Sequence, residues 1–356
     1  MDQLLELLGK YRCHLKRGSQ SMEDFLKSNF LCYIQDVKQA INISDNTLVG
    51  PEMCRMVEEC IDEIASNADK LVEILHLYGN GKIVEASVKA FDVFNIMKPY
   101  LMQRYSGAPY TEDYYRIRRV HDISSNFTRK DLFHIPRNKN HLVGTERYSM
   151  PGHPCLYLAS QAPLAWYECG EPTNFVVAKF SIPQEENNHL IFVDFSEKLM
   201  RLMIFFDGWF RSDDNKTAVQ KYLLKYIYTY PLRAACSVTV EHHNAKFVEE
   251  YIISQLLLQW VCNDEDFDGI RYESCSGLDS VKMLGGHNIV LVTKQFDADG
   301  YDIKLRNCIK VGVPQMFLLS HHEYDKQLTS STNSNKPALD PFLFGMCNIS
   351  DDFQQI

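Results

Sequence analysis

The chain has 356 residues, of which 45% are apolar and 12% aromatic, so it can bury a substantial core, and its length is typical of two domains or more. Its formal net charge is −9, which argues against broad binding to nucleic acids or anionic membranes, because both attract basic surfaces. No apolar run approaches the roughly 20 residues of a membrane span, and the N-terminus lacks the features of a secretion signal, so we expect a soluble cytoplasmic protein.

The first part of the chain predicts helices. Between Leu26 and Ile41 an apolar residue recurs every three or four positions, as on one face of a helix. Ser21 followed by Asp24 is typical of the start of such a helix. Residues 1–108 are therefore predicted to form a small helical bundle.

Three more helices are expected in this bundle. Pro51 suits the first turn of the second helix, a third is centred on residues 71–75, and Pro99 should end or kink the fourth. The expected apolar face of the fourth helix consists of Val84, Val88, Phe91, Phe94 and Met97.

Beyond residue 105 the pattern changes to strands. Residues 114–120 alternate with period two, so Arg116 and Arg118 should lie on one face of a strand. Strands with inserted helices, not strictly alternating, predict an α+β domain. The other expected strands are 155–160, 175–183, 189–195, 268–274, 288–294 and 301–311.

Two helices are expected within this domain. The first covers about 215–230 and should stop at Pro231. The second covers about 246–262, with Phe247 and Tyr251 packing inward and the adjacent glutamates 249–250 facing solvent.

The sequence thus predicts three regions: a helical domain over 1–108, an α+β domain over 109–325 and a C-terminal tail over 326–356. The tail contains a polar stretch, residues 328–335, that is typical of a mobile segment.

The 11 cysteines form no CxxC pair. Cys32, Cys60 and Cys236 have apolar sequence neighbours, as buried free thiols do, which favours a reducing compartment. Soft ligands at short spacing are missing as well, and the histidine pairs at 242–243 and 321–322 would diverge on any element, so we expect no metal site.

Several segments, in the same order, resemble the RES domain, a bacterial family named for its arginine, glutamate and serine. The matching segments span about 112–295 and are Tyr115-Arg116, Gly144–Tyr148 with Gly152, Leu156–Ala159, Ala165–Glu168, Phe247–Gln255, Asp268–Ser274 and Gly286–Leu291. Ser149 departs from the pattern, because many members have asparagine there. The helical region in front is similar to the HEPN-type domain that precedes RES in one subgroup, although the arginine–histidine pair of HEPN ribonucleases is missing from residues 1–108.

The resemblance implies an ADP-ribosyltransferase-like fold and an enzyme that consumes NAD as a substrate and needs no other cofactor. Members release nicotinamide by hydrolysis or phosphorolysis and act as toxins, and ADP-ribosylation of a protein is also associated with the family. It further implies a phosphate co-substrate in the phosphorolytic case. A toxin that consumes NAD must be restrained in its host, and the sequence leaves open whether the N-terminal bundle, an inhibitor or antitoxin protein, or a homo-oligomer does so.

NAD carries a diphosphate and a cationic nicotinamide. Planar guanidinium groups bind phosphates in bidentate fashion, and Arg116 and Arg147 are the expected donors, with Arg118 able to take the place of Arg116. The nicotinamide face needs an aromatic platform, for which Tyr157 or Tyr148 is expected.

Cleavage of the nicotinamide–ribose bond generates an oxocarbenium-like sugar. Glu168 is the expected carboxylate that counters this charge, with Glu171 as a nearby competitor. Ser274, at the end of an expected strand, could bind the ribose or orient Glu168. Together with Arg116 these two residues form the predicted catalytic set.

The sequence therefore predicts an NAD glycohydrolase or NAD phosphorylase, as a bacterial toxin or defence effector. One alternative is an ADP-ribosyltransferase with a macromolecular acceptor, and another is a non-catalytic interaction module. The residues leave these open, because surface loops determine the acceptor.

Overall fold

A computed structural model describes residues 2–46, 48–102, 110–185, 189–196, 213–240, 245–275, 285–318 and 349–356. In chain order its helices are α1 (Gln3–Lys10), α2 (Met22–Ala40), α3 (Gly50–Gly79), α4 (Ile83–Leu101), α5 (Arg129–Leu132), α6 (Ala162–Glu168), α7 (Asp213–Cys236), α8 (Ile252–Asn263) and α9 (Ile303–Cys308). Its strands are β1 (Tyr110–Arg119), β2 (Cys155–Ala159), β3 (Asn174–Gln184), β4 (Phe192–Phe195), β5 (Gly269–Tyr272), β6 (Asn288–Val292), β7 (Lys310–Val311) and β8 (Gln315–Leu318). The protein is therefore α+β.

The chain divides into two compact units. The first contains Met1–Met102, Glu146–Tyr148 and Glu197–Asn263, and the second contains Gln103–Thr145, Ser149–Ser196 and Asp264–Ile356. The sequence prediction placed α7 and α8 in the 109–325 domain, whereas the structure assigns both to the first unit. The apolar faces of these helices pack against the N-terminal helices, which local sequence patterns do not reveal.

The first unit is built around α3, which packs against α2, α4 and α7. As predicted, Ser21 caps α2, because its side chain accepts the backbone N–H of Asp24 at 3.1 Å. The two helices expected after Pro51 are one helix of 30 residues. No glycine or proline interrupts the sequence between Glu52 and Tyr78, so nothing local ends the helix.

The prediction that α7 stops at Pro231 is wrong, since the helix continues to Cys236. Proline has no N–H for the carbonyl four residues earlier, which here belongs to Ile227. The Tyr33 hydroxyl donates a hydrogen bond to that carbonyl at 2.8 Å, and burial raises the pKa of Tyr33 well above its usual range, which keeps the donor protonated. A tertiary contact thus replaces the missing helical bond.

Three apolar residues of the first unit that were expected to pack inward, Val84, Val88 and Phe247, are exposed. Val84 and Val88 are 77% and 59% exposed, because α4 buries the neighbouring face, formed by Ala86, Ala90, Val93, Phe94, Met97 and Leu101. Phe247 is exposed and stacks on Tyr78 with the ring centroids 6.4 Å apart.

Two further predictions for this unit, the exposure of Glu250 and the burial of Cys32, are wrong. Glu250 is buried, not solvated, and pairs with Arg17 at 2.8 Å. Cys60 and Cys236 are buried as expected, but Cys32 is exposed. The cysteines that the structure describes are all free thiols. The predictions for residues 328–335 and for the two histidine pairs lie outside the described residues.

The second unit is organised by an eight-stranded mixed sheet in the order β4-β5-β6-β2-β1-β3-β7, with β8 also paired to β3. The pair β4–β5 is parallel and the other described pairs are antiparallel. The expected strand at 301–311 is mostly helix α9, which begins because the Asp302 side chain accepts the N–H of Leu305 at 2.9 Å.

The sheet has two buried faces. Residues of the α5 face pack with Leu132 and Phe133 and include Tyr114, Leu156, Leu158, Val176, Ala178 and Ile289. Residues of the α6 face pack with α6 and include Ile117, Ala159, Phe175 and Val177. Because side chains alternate along a strand, each β1 residue lies on one of these two faces.

Among the described helices, none combines the length and apolar character that crossing a membrane requires.

Candidate functional site

The structure distributes the predicted site residues between the two units. Arg147 and Tyr148 belong to the first unit. The others, Arg116, Arg118, Tyr157, Glu168 and Ser274, belong to the second.

Glu168 is the last residue of α6, and its side chain is exposed. One carboxylate oxygen, Oε1, accepts a hydrogen bond from the Asn288 side-chain amide at 2.9 Å. Asn288 is buried at the start of β6, where it pairs with Ala159 of β2 and Tyr272 of β5. A buried amide at the start of β6 thus orients an acid that solvent can reach.

The segment before Asn288 packs tightly on the corner between β2 and α6. The backbone N–H of His287 donates to the Ser160 hydroxyl at 2.9 Å, and the N–H of Ser160 donates to the His287 carbonyl at 2.8 Å. A Cβ on Gly286 would lie 2.9 Å from the Ser160 hydroxyl and 3.0 Å from Leu164 Cδ2. Any larger residue here would therefore require the Ser160 or Leu164 side chain to shift.

Tyr157 and Ser274 lie on elements that meet at this corner. Tyr157 is half-buried in β2 and pairs with Val290 of β6, two residues from the Ala159–Asn288 pair. Ser274 is buried two residues after β5 ends at Tyr272, the partner of Asn288. The elements that carry Tyr157, Glu168 and Ser274 therefore meet at one end of the strands, where β2 and β5 end and β6 begins.

Arg116 and Arg118 lie on the face of the sheet opposite to α6, the helix that ends at Glu168. In the β1–β3 register Arg116 pairs with Ala178, which belongs to the α5 face, whereas Glu168 lies on α6. Strand alternation puts Arg118 on the α5 face as well, so the expected shared face of the two arginines is present, but it is the opposite one.

Arg116 contacts the backbone around α5. Its Nη1 donates to the carbonyls of Leu132 and Phe133 at 3.1 and 2.7 Å. Burial lowers the pKa of Arg116 to about 10, with a further contribution from Arg118, while Tyr157 and Cys169 act in the opposite direction. Its predicted binding to a diphosphate stays a prediction, and the observed contacts are structural.

Arg147 is buried in the first unit. It donates from Nη1 to the Cys236 carbonyl at 2.9 Å and from Nη2 to the Val238 carbonyl at 2.8 Å, and its guanidinium lies 5.2 Å from the centre of the Tyr251 ring. Tyr148 beside it is also buried. These contacts hold the segment after α7, and a role of Arg147 or Tyr148 toward NAD stays a prediction.

A polar network that sequence reasoning missed lies on the α5 face, at the same end of the strands. Arg271 Nη2 donates to Glu112 Oε2 at 2.6 Å, and its Nη1 lies 3.5 Å from Asp194 Oδ2. The Tyr114 hydroxyl donates to Glu112 Oε2 at 2.8 Å and lies 3.2 Å from His287 Nε2. The strand alternation of 268–274 places Arg271 on the face opposite Ile270 and Tyr272, and it does not reveal that Arg271 is buried.

The electrostatics of this network follow from its burial. Burial raises the pKa of Tyr114 well above its usual range. Burial disfavours the charged form of Arg271, but Tyr114, Asp194 and Glu112 outweigh this effect and raise its pKa. The network is thus a neutral phenol between a histidine and an ion-paired carboxylate.

Within the described part of the chain, no group of three or more histidine, cysteine, aspartate or glutamate residues could hold a metal ion. A surface cleft in the first unit contains none of the predicted site residues; it is lined by Lys70, Val84, Glu85, Val88, Lys89 and Asp92.

The chain is similar to a Bacillus subtilis (strain 168) protein named "Putative toxin YopC", with 27% identity over 270 residues. The aligned region covers 73% of this chain and 57% of that protein, so the chain spans little more than half of the relative's length. No family model matches the chain, and no solved structure matches it.

Proposed function

We propose that the chain is a bacterial toxin that cleaves the nicotinamide–ribose bond of NAD, by hydrolysis or by phosphorolysis. The observation that supports this most directly is the exposed Glu168 carboxylate, which the buried Asn288 amide orients at 2.9 Å. The toxin character rests on the name of the relative, and NAD as substrate rests on the sequence resemblance.

The geometry suits the chemistry of glycosidic cleavage. The leaving of nicotinamide develops positive charge on the ribose, and a carboxylate already held in place stabilises that charge without reorganising during the reaction. Asn288 engages Oε1 of Glu168, so Oε2 would face the ribose or the incoming nucleophile. Tyr157 would stack on the nicotinamide, and Ser274 would bind a ribose hydroxyl.

The proposal does not require Arg116 or Arg118 to contact the same ligand as Glu168, because the two arginines lie on the α5 face. Cytoplasmic action and restraint by an antitoxin belong to the proposal as well, because a toxin that consumes NAD must be inhibited in the cell that makes it.

The test is release of nicotinamide from NAD by the purified full chain, with and without inorganic phosphate. Production of ADP-ribose indicates hydrolysis, and a phosphate-dependent phosphorylated product indicates phosphorolysis. We expect Glu168→Gln to lower kcat about 100-fold or more, because the stabilising charge is removed at constant shape.

The matched control is Glu265→Gln, which neutralises an exposed acid of the second unit and should leave turnover unchanged. Equal turnover by Glu168→Gln and the wild type would exclude the role of Glu168. Failure of the wild type to release nicotinamide would refute the proposed reaction.

A second candidate is ADP-ribosyl transfer to a macromolecule, which the exposure of Glu168 favours, since a large acceptor can approach an exposed acid. Label from the adenylate part of NAD would then appear on protein or nucleic acid in a cell lysate instead of on free ADP-ribose.

A further inference from the structure

We propose that a partly buried chain of hydrogen bonds, Arg271–Glu112–Tyr114–His287, positions Glu168 by holding the 286–288 segment in place. This inference rests on the proposed function, because it assigns positioning residues to the same site. Its members touch no expected substrate atom and would act through Asn288.

The direction of each hydrogen bond follows from the number of protons available. Glu112 is paired with Arg271 at 2.6 Å and therefore accepts the hydrogen bond from the Tyr114 hydroxyl at 2.8 Å. That hydroxyl has a single proton, so it accepts from His287, whose Nε2 lies 3.2 Å away. The ring of His287 is thereby held with its proton on Nε2.

The chain is connected to the acid through adjacent backbone atoms. His287 is tied to Ser160 by two hydrogen bonds of 2.9 and 2.8 Å, and a Cβ on the preceding Gly286 would come within 3.0 Å of the Ser160 and Leu164 side chains. The next residue, Asn288, donates to Glu168 at 2.9 Å. The hydrogen-bonded His287 ring therefore adds a restraint on the backbone segment that carries the Asn288 amide.

Stability alone does not account for this network. Arg271 and Asp194 are 8% and 2% exposed, and Arg271 Nε has no hydrogen-bond partner among the described residues. Burying charged groups carries a large desolvation penalty, and apolar residues of similar volume often stabilise a core as well or better. The network is therefore better explained by a requirement for orientation.

The experiment compares substitutions at both ends of the Tyr114–His287 contact, one at Tyr114 and two at His287. Tyr114→Phe removes only the hydroxyl, and His287→Leu removes the donor. His287→Gln is the matched rescue variant, because its side-chain amide can donate from nearly the position of Nε2. We expect kcat to fall about tenfold in Tyr114→Phe and His287→Leu, with KM changing less than about twofold, and to recover largely in His287→Gln.

A second readout does not depend on activity. Hydrogen exchange of the Asn288 side-chain amide is followed by NMR in ¹⁵N-labelled full chain, with the resonance identified by its loss in Asn288→Asp. We expect slow exchange in the wild type and in His287→Gln, and faster exchange in Tyr114→Phe and His287→Leu. If the wild type releases no nicotinamide, the proposed reaction fails while this readout still decides the positioning role.

Unchanged Asn288 exchange in both Tyr114→Phe and His287→Leu would overturn the inference. So would equal losses of kcat in His287→Leu and His287→Gln together with equal shifts of the unfolding midpoint, because that pattern indicates a purely structural role.

Discussion

At the scale of single residues, hydrogen bonds between residues far apart in sequence fix the orientation and protonation of buried polar groups in the second unit. His134 is fully buried, and its Nε2 accepts the backbone N–H of Asp302 at 2.9 Å. Its Nδ1, 2.9 Å from the Ile135 carbonyl, must then carry the proton. The contact through Nε2 requires a neutral ring, and burial lowers the pKa of His134 below its ordinary 6.5, with Arg116 adding to this effect and the Ile135 carbonyl and Asp302 opposing it.

This depressed pKa predicts how stability depends on pH. The unfolded chain binds a proton at His134 before the folded protein does, so the contribution is complete above the ordinary pKa of 6.5 and declines as pH falls below it. We expect the free energy of unfolding from urea titrations to decrease by about 1 kcal/mol or more between about pH 7 and 5.

His134→Gln should reduce that slope, because the amide does not titrate and its oxygen can accept from Asp302. Exposed His141→Gln is the control and should leave the slope as in the wild type. A slope that is the same in all three proteins would show that His134 is not responsible. His153, whose pKa burial also lowers, accounts for a residual slope in His134→Gln.

At the scale of secondary structure, α7 shows how a tertiary contact replaces a local one. Pro231 would ordinarily end or bend the helix, but Tyr33 donates to the buried backbone carbonyl of Ile227, which the proline leaves without its helical donor. The helix therefore continues past Pro231 with the freed carbonyl satisfied by a residue of α2.

We expect Tyr33→Phe to lower the free energy of unfolding by about 1–3 kcal/mol, because it leaves the buried Ile227 carbonyl without a donor. Urea titration measures this loss. Tyr78→Phe, at a half-buried tyrosine on α3, is the matched control and should have little effect.

A double-mutant cycle makes the test specific. Pro231→Ala restores the backbone N–H that Ile227 lacks, so Tyr33→Phe should cost less in that background than in the wild type. Equal costs in the two backgrounds would mean that Tyr33 stabilises the protein through packing instead of through this hydrogen bond.

At the scale of the whole molecule, the first unit joins elements far apart in sequence. Trp260 of α8 donates to Asn95 of α4 at 2.9 Å, and Asn67 of α3 donates to Tyr228 of α7 at 3.3 Å. A boundary near residue 108 therefore does not separate two independent folding units.

A fragment covering 109–356 tests this point. It would expose the apolar faces of α7 and α8 that α3 and α4 cover, and we expect it to bind the dye ANS and aggregate, whereas the full chain should not. Size-exclusion chromatography and ANS fluorescence of the two proteins measure the difference. A monomeric, cooperatively unfolding fragment would contradict the observed division of the chain.

The local features of the fold could be predicted from the sequence. The cap at Ser21 and the approximate positions of β1, β2, β5 and β6 in the sequence depend on neighbours within a few residues. Capping signals and hydrophobic periodicity reveal such local features. The same holds for the shared face of Arg116 and Arg118, since alternation alone determines it.

Only the tertiary structure decided which face of the sheet carries Arg116 and Arg118, and which distant residues come into contact. The registers that place Arg116 opposite Ala178 and Asn288 opposite Ala159, the pairing of Arg271 with Glu112, and the assignment of α7 and α8 to the first unit all depend on residues brought together across long separations. Local patterns do not encode such pairings, because they arise from the packing of complete faces and from hydrogen bonds between distant strands.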